Sequence, residues 1–420
     1  MASRAAERAL FDHPSGGQGE APDDDTTPEP VALDSLALQW QVLVGRDRRP
    51  AGVRIEMRHR SVAASAPLSS LLESIVRAFV DDDATPFPHG MVLLAPFAAT
   101  IDAAMASWKA PRNVLLEIPA TDLEDEARVR ILFESRGQGL RQALRAQENV
   151  PSEARLSFFQ YVVGPSSIAR WASIPVLATD SDTPARAAAA LGNNAHLVVG
   201  WPLTDPLAGK ERELSPSQRA IFEVVRLVQA DAELRSLEQV FEAEPLLAYM
   251  LLTLANSVAF RRGAPTASLR QAITSIGYQR LLKWLILILA ISSKEGPMAP
   301  LIFTTLIRGY CMENLCLASH RPKHEADECF IVGAFSLLDV ITGQSLPSLL
   351  GEAGLPAAIV DALVFRSGPY APLLEIVQSM ECGNAPVEIP QDSPQPLDID
   401  AVNKSLLRAI AAADAMLALL

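Results

Sequence analysis

Cysteine is scarce in this chain. Cys311, Cys316, Cys329 and Cys382 are too few in 420 residues for a disulfide framework. No Cys-x-x-Cys pair of the kind that holds zinc occurs among them. Basic charge is scarce as well: 36 Lys and Arg stand against 49 Asp and Glu, a formal net charge of −13. That balance disfavours nonspecific nucleic-acid binding through a basic surface, so no nucleic-acid partner is expected. Long apolar runs are missing. The uncharged stretch Pro245–Phe260 is shorter than the ~20 residues of a membrane span and carries Asn256. Residues 1–30 contain no apolar signal core, so a cytoplasmic protein without a membrane partner is expected. A phosphate-binding glycine loop, a nucleophile elbow and a basic stripe with interleaved aromatics are absent too.

What is present suffices for two or three domains, since 49% of the residues are hydrophobic. Residues 1–34 read as a disordered arm, with Gly16-Gly17, the acidic run Asp23–Asp25, Pro28 and Pro30. Residues 35–207 alternate strand-like and helix-like pieces. The strand candidates are Gln39–Val44, Val53–Arg58, Met91–Leu94, Val114–Ile118, Leu156–Val163, Val176–Ala178 and His196–Trp201. Helices are expected at Leu68–Val80, Ile101–Trp108, Gly137–Gln147 and Pro184–Leu191. Such alternation implies parallel strands with crossover helices.

Residues 208–384 read as a helical domain centred on Phe241–Ile291. Two segments there, Pro245–Ala255 and Leu281–Ala290, are apolar on almost every side and are expected to be enclosed by other helices. Between them Leu269, Ala272, Ile273 and Ile276 share one helical face, with Thr266 a candidate N-cap and Gly277 a candidate C-cap. Ser215 or Ser217 is placed to cap an earlier helix, whose Ile221, Val224, Val225 and Val228 lie on one face. Residues 385–420 are a proline-rich linker followed by an amphipathic helix with Leu406, Leu407, Ile410 and Leu417. That helix is expected to dock on its own domain, with a homodimer as the alternative.

The order Glu244-Pro245, a leucine-rich turn, Asn256-Ser257, Ser268-Leu269, Ala272-Ile273, Ile276-Gly277 and Trp284 resembles an HDOD domain. The similarity runs on through Arg308, Phe330–Asp339 and Leu355–Leu363 and covers roughly residues 214 to 384. It implies a helical fold like that of HD hydrolases, generally without their metal ligands, in a bacterial signalling protein. The preceding segment is similar to an EAL domain, the barrel that hydrolyses cyclic di-GMP. Ile55-Glu56-Met57, Leu115–Ile118, Ile174–Thr183 and Val198–Pro206 carry that likeness. An eight-fold barrel usually takes ~250 residues and only ~170 are available here. The resemblance therefore implies a shortened, degenerate TIM-barrel-like EAL domain, α/β in class, followed by an all-helical HDOD domain.

Phosphodiester hydrolysis in such a barrel needs two cations, charge-balanced by several carboxylates. Glu56 and Glu117 stand at matching positions. Met91–Phe97 lacks the asparagine, and the interval from Pro151 to Thr179 lacks both Asp and Lys, with Leu156–Gln160 where an Asp pair is expected. Thr179 takes the first position of the late glutamate motif, leaving Asp182 for the second. The resulting expectation is no catalytic residue, no metal, no cofactor and no enzyme. Glu56 and Glu117 are expected to be solvated at strand ends or paired with Arg54 or Arg112, or to persist as ligand-binding remnants.

In the helical domain the His-Asp pair of HD hydrolases falls near Ser336-Leu337, and Asp339 faces elsewhere. His320 and His324 with Cys316 and Cys329 sketch a zinc site, but Pro322 interrupts their spacing and a solvated loop is expected. Glu244, Pro245, Asn256, Ser257 and Trp284 are read as structural or partner-binding, with Asn256 bonding to backbone in the turn that follows. The expected function is a non-catalytic regulator that acts on a protein signalling partner. The alternative is a receptor that binds cyclic di-GMP without cleaving it.

Overall fold

Short, mostly apolar runs build eight strands among the described residues: β1 (Leu36–Gly45), β2 (Pro50–His59), β3 (Met91–Phe97), β4 (Val114–Pro119), β5 (Arg141–Arg145), β6 (Tyr161–Gly164), β7 (Val176–Ala178) and β8 (Leu197–Val199). In the computed structural model they close into one barrel in sequence order. The described residues are 31–60, 66–80, 86–97, 101–146, 158–170, 172–203, 216–256, 265–291, 299–353, 355–381 and 397–418. Strands β2 to β8 run parallel, whereas β1 is antiparallel to both its neighbours, β2 and β8. A hairpin explains this: the chain turns back directly through Arg48, at φ 59°, and no crossover helix separates β1 from β2.

The barrel closes on few residues because several crossovers are minimal. Full helices follow β2 (α1, Leu68–Ala78), β4 (α2, Glu126–Gly137) and β7 (α3, Pro184–Gly192). Among the described residues between β3 and β4 the helical piece is the 3-10 turn Ala103–Ala106, where Ile101–Trp108 reads as a helix in the sequence. Among the described residues between β6 and β7 the helical piece is the 3-10 turn Ser166–Arg170.

The expected helix at Gly137–Gln147 is wrong. The helix ends at Gly137, Gly139 takes a φ of +99° that favours glycine, and Arg141–Arg145 is a strand. Leu140 and Leu144 mimic helical spacing. The strand's alternation is hidden because Gln142, an outward position, is buried and polar. Its Nε2 donates to the Leu132 carbonyl at 2.8 Å and to Ser135 Oγ at 3.0 Å beneath α2.

The helical half comprises α4 (Pro216–Gln229), α5 (Leu234–Ala243), α6 (Pro245–Ala255), α7 (Leu269–Ile276), α8 (Tyr278–Ile291), α9 (Ala299–Ala318), α10 (Lys323–Phe335), α11 (Leu338–Thr342), α12 (Leu346–Ala353), α13 (Ala357–Val360), α14 (Ala371–Ser379) and α15 (Ile399–Leu417). Ser268 caps α7 by accepting from the Gln271 amide; Thr266 lies two residues before it and bonds the Ser268 amide instead. Gly277, at φ +80°, ends that helix as its sequence position implies. Helix α6 is not enclosed. Leu246 is 63% and Tyr249 68% exposed, so its all-round apolarity marks an edge helix with one face uncovered. No helix among the described residues is long and apolar enough to cross a membrane.

The two halves share one apolar core. The outer face of the β1–β2 hairpin, which lacks a crossover helix of its own, is covered by α9 and α15 from the far end of the chain. Asp398 caps α15, and Asn403 is clamped to β1: its amide nitrogen donates to the Leu33 and Leu36 carbonyls at 2.8 and 2.9 Å, and its carbonyl accepts from Leu38. Further along, Asp414 accepts from the His89 amide at the start of β3. Helices α9 and α10 approach so closely that a Cβ on Gly333 would lie 2.4 Å from the Arg308 carbonyl oxygen. Gly333→Ala is expected to destabilise the helical half by about 1–3 kcal/mol through overpacking. A urea midpoint within error of wild type would contradict that contact.

Candidate functional site

Period-two alternation sends Leu43, Leu93, Leu115, Ala143, Val163, Leu177, Leu197 and Val199 into the barrel as an apolar plug. The next inward layer, toward the carboxyl ends of the parallel strands, is charged. Arg54 and Glu56 of β2 are two residues apart and share this face with Glu117 of β4 and Arg145 of β5. This is the end of a parallel barrel where ligand sites form.

Arg54 organises the layer. Its Nε and Nη2 reach both carboxylate oxygens of Glu117 at 2.7 and 2.9 Å, and its Nη1 donates to Glu56 and, at 3.0 Å, to the amide carbonyl of Gln41. Arg58 Nη2 donates to the other oxygen of Glu56 at 3.0 Å, and Arg145 Nη1 lies 3.4 Å from Glu117. The guanidiniums of Arg58 and Arg145 both lie over Phe97, 4.7 and 4.4 Å from its centroid. Neither glutamate is solvated: Glu56 is 6% exposed and Glu117 is fully buried, and the partner of both is Arg54 rather than Arg112.

Burial opposes ionisation of Glu56, but the Arg54 charge and the hydrogen bonds from Arg54 and Arg58 outweigh it and hold the carboxyl below its usual range. Arg54 is likewise buried, yet Glu117 and Glu56 raise its pKa. Burial lowers that of Arg145 despite Glu117. A depressed carboxyl contributes stability that is complete above its unfolded pKa and is lost as pH falls through its folded one. Stability should therefore decline below about pH 4, and Glu56→Gln should flatten that decline in urea midpoints measured across the acid range.

The cation pair implied by an EAL likeness does not fit these side chains. Both carboxylates are saturated by guanidinium, and the inward residue at the exit of the following strand is Arg145. That strand is missed when Gly137–Gln147 is read as a helix, so Arg145 escapes the sequence reading altogether. Beside the layer, a cavity of about 380 Å³ is lined by Arg128, Arg145, Thr121, Asp122 and Pro96.

A second cavity, about 520 Å³, lies where the barrel meets the helical half. Here the Trp40 amide donates to the Met380 carbonyl at 2.8 Å, Gln39 Nε2 donates to the Ser379 carbonyl, and residue 381 continues alongside Trp40 as a β-bridge. Arg308 of α9 binds Glu381 in a fork, with Nη2 at 2.6 Å, and donates to Ser336 Oγ at 2.8 Å.

The HDOD domain family matches residues 214–338. Those residues form an HDOD domain. Among curated proteins, the chain is 27% identical over 185 residues to cyclic di-GMP phosphodiesterase CdgJ of Vibrio cholerae, covering 43% of this chain and 42% of that protein. It is 24% identical over 192 residues to YuxH of Bacillus subtilis, covering 45% of this chain and 46% of that one. Each match spans less than half the length of the relative. Among solved structures, a calcium and cyclic di-GMP complex of Klebsiella pneumoniae BlrP1 is 15% identical, with a TM-score of 0.31, over 41% of this chain and 56% of that one. The architecture is an EAL-like, TIM-barrel-like domain followed by a helical HDOD region. One expectation is corrected: a chain similar to a protein named a phosphodiesterase cannot be set down as no enzyme on missing ligand positions alone.

Within the HDOD domain the motif residues hold structure. Asn256 makes two 2.8 Å hydrogen bonds with the backbone of Thr266, and Ser257 lies outside the described residues. Glu244 accepts from Ser217, which sits inside α4, while Pro245 opens α6 and Trp284 is buried. Ser336-Leu337 falls between α10, which ends at Phe335, and α11, which begins at Leu338, and Ser336 serves Arg308. His320 and His324 are exposed and apart from the buried Cys316 and Cys329. The hydrogen bond to Cys316, with burial, holds the Cys329 thiol above its usual range. Among the described residues no three His, Cys, Asp or Glu side chains converge on a cation position.

Proposed function

We propose that this chain works in cyclic di-GMP signalling: the EAL-like barrel takes the nucleotide at its carboxyl-end mouth, and the HDOD domain passes the signal to a protein partner. The observation that carries this reading is the attachment of the HDOD domain to the rim of the mouth, through the Trp40–Met380 backbone bond and the Arg308–Glu381 fork. A ligand in the mouth and a partner on the HDOD surface then act on one connected body. The mouth suits an anion, because Arg54 and Arg58 together balance Glu56 and Glu117, Arg128 is matched by Asp122, and Arg145, which also lines the cavity, is the surplus cation. The name of the Vibrio relative supports the choice of nucleotide.

Calorimetry of the full chain with cyclic di-GMP is expected to show saturable heat that Arg145→Ala weakens about tenfold. No heat at high micromolar protein would remove the reading. Hydrolysis is the second reading, favoured by the same relative's name. It is assayed in parallel with Mg²⁺ or Mn²⁺, and loss of turnover in Glu56→Ala would establish it.

A further inference from the structure

We propose that the outer face of α2 is the contact through which two copies of this chain associate. Helix α2 is a crossover helix on the barrel wall, and its outer side carries apolar groups where a solvated helix face would be polar. Val129 is 39% exposed, Phe133 62%, and Phe158, which lies beside them, 40%. The two phenyl rings meet edge-on at 6.0 Å and, with Leu123, border a groove of about 460 Å³ on the outside of the barrel. A contiguous exposed apolar patch of this kind marks an association surface.

The charges on the same side name the occupant. Glu126, Arg130 and Glu134 follow one another at four-residue intervals, and Arg136 closes the row with its guanidinium 5.5 Å from the Phe158 centroid. Among the described residues none of these four forms an ion pair, although Arg128 on the flank of the helix is taken by Asp122. The row sums to zero in a chain of formal net charge −13, so two copies can meet here without adding to their repulsion. It is also complementary to itself. With two α2 helices antiparallel about an axis level with Ile131 and Leu132, Glu126 faces Arg136 of the second copy and Arg130 faces its Glu134, and the reciprocal pairs form by symmetry. Val129 and Phe133 of both copies fill the centre. A partner of one charge sign would leave half the row unmatched. Because α2 begins at the mouth, where Asp122 and Arg128 line the cavity, the two mouths of the dimer open in opposite directions.

Sedimentation velocity of the full chain between about 1 and 100 μM is expected to show a monomer–dimer equilibrium. Phe133→Asp changes an exposed position, should be folded by circular dichroism, and is expected to stay monomeric over that range. Glu126→Arg and Arg136→Glu each set like charges opposite one another and should weaken the dimer about tenfold. Mixed in equal amounts the two variants should recover it, since each then supplies the sign that the other lacks. A chain that is monomeric throughout overturns the proposal, as does a dimer indifferent to Phe133→Asp. Charge variants that dimerise like the wild type, or whose mixture associates no better than either alone, also overturn it. Nucleotide binding at the mouth is measured separately by calorimetry and stands or falls on its own.

Discussion

Arg54→Ala is expected to destabilise the barrel by about 3–5 kcal/mol, the cost of breaking a buried ion pair from one side. The loss is large because one guanidinium serves two acids. Glu117 is fully buried and Glu56 nearly so, and both carboxylates would face a low-dielectric interior with their main partner gone. Arg145 and Arg58 compensate little: the first stands 3.4 Å from Glu117, and the second reaches Glu56 from a half-exposed position. Urea unfolding measures the change. Replacing the whole layer together, with Arg54→Met, Glu56→Leu, Glu117→Leu and Arg145→Met, should recover much of the loss, since a whole buried network can be exchanged for apolar groups at little cost, and Arg58 is half exposed. A single-variant loss under about 1 kcal/mol would mean that water or a side-chain shift rescues the acids, contrary to their burial.

Glu381→Ala should cost about 3 kcal/mol, toward the lower end for a buried pair because Glu381 retains some solvent contact. Arg308, with a side chain 5% exposed, would keep Ser336 as its hydrogen-bond partner among the described residues. The effect is also local. The Trp40 amide is held by the Met380 carbonyl, next to the residue changed, so its hydrogen exchange should accelerate well beyond the change in global stability. Unaltered protection of that amide would show that the rim attachment does not depend on the fork.

Much of the barrel is legible because its strands are buried on both faces and stand out as short apolar runs. Val53–Arg58 and Val114–Ile118 could be found that way, and with them Glu56 and Glu117, acids inside otherwise apolar runs. The strand Arg141–Arg145 could not, since an arginine at each end and a buried glutamine erase the apolar signal, and with it went Arg145. The antiparallel β1 escapes for another reason: direction depends on the missing crossover, which no single strand reveals. The junction at Trp40 and Met380 is beyond local reading, because it joins positions 340 residues apart through backbone atoms that carry no sequence signature. Helix α6 shows the limit of hydropathy, which reports that Leu246 and Tyr249 are apolar but not which neighbour is absent.

The placement of α15 over β1 has a consequence for biogenesis. Strand β1, Leu36–Gly45, emerges from the ribosome well before α15, Ile399–Leu417, the helix that shields its outer face. At ~5–20 residues per second the interval is roughly 20–70 s. During it the nascent barrel displays an apolar flank, and the window for chaperone engagement is set by the distance from β1 to α15.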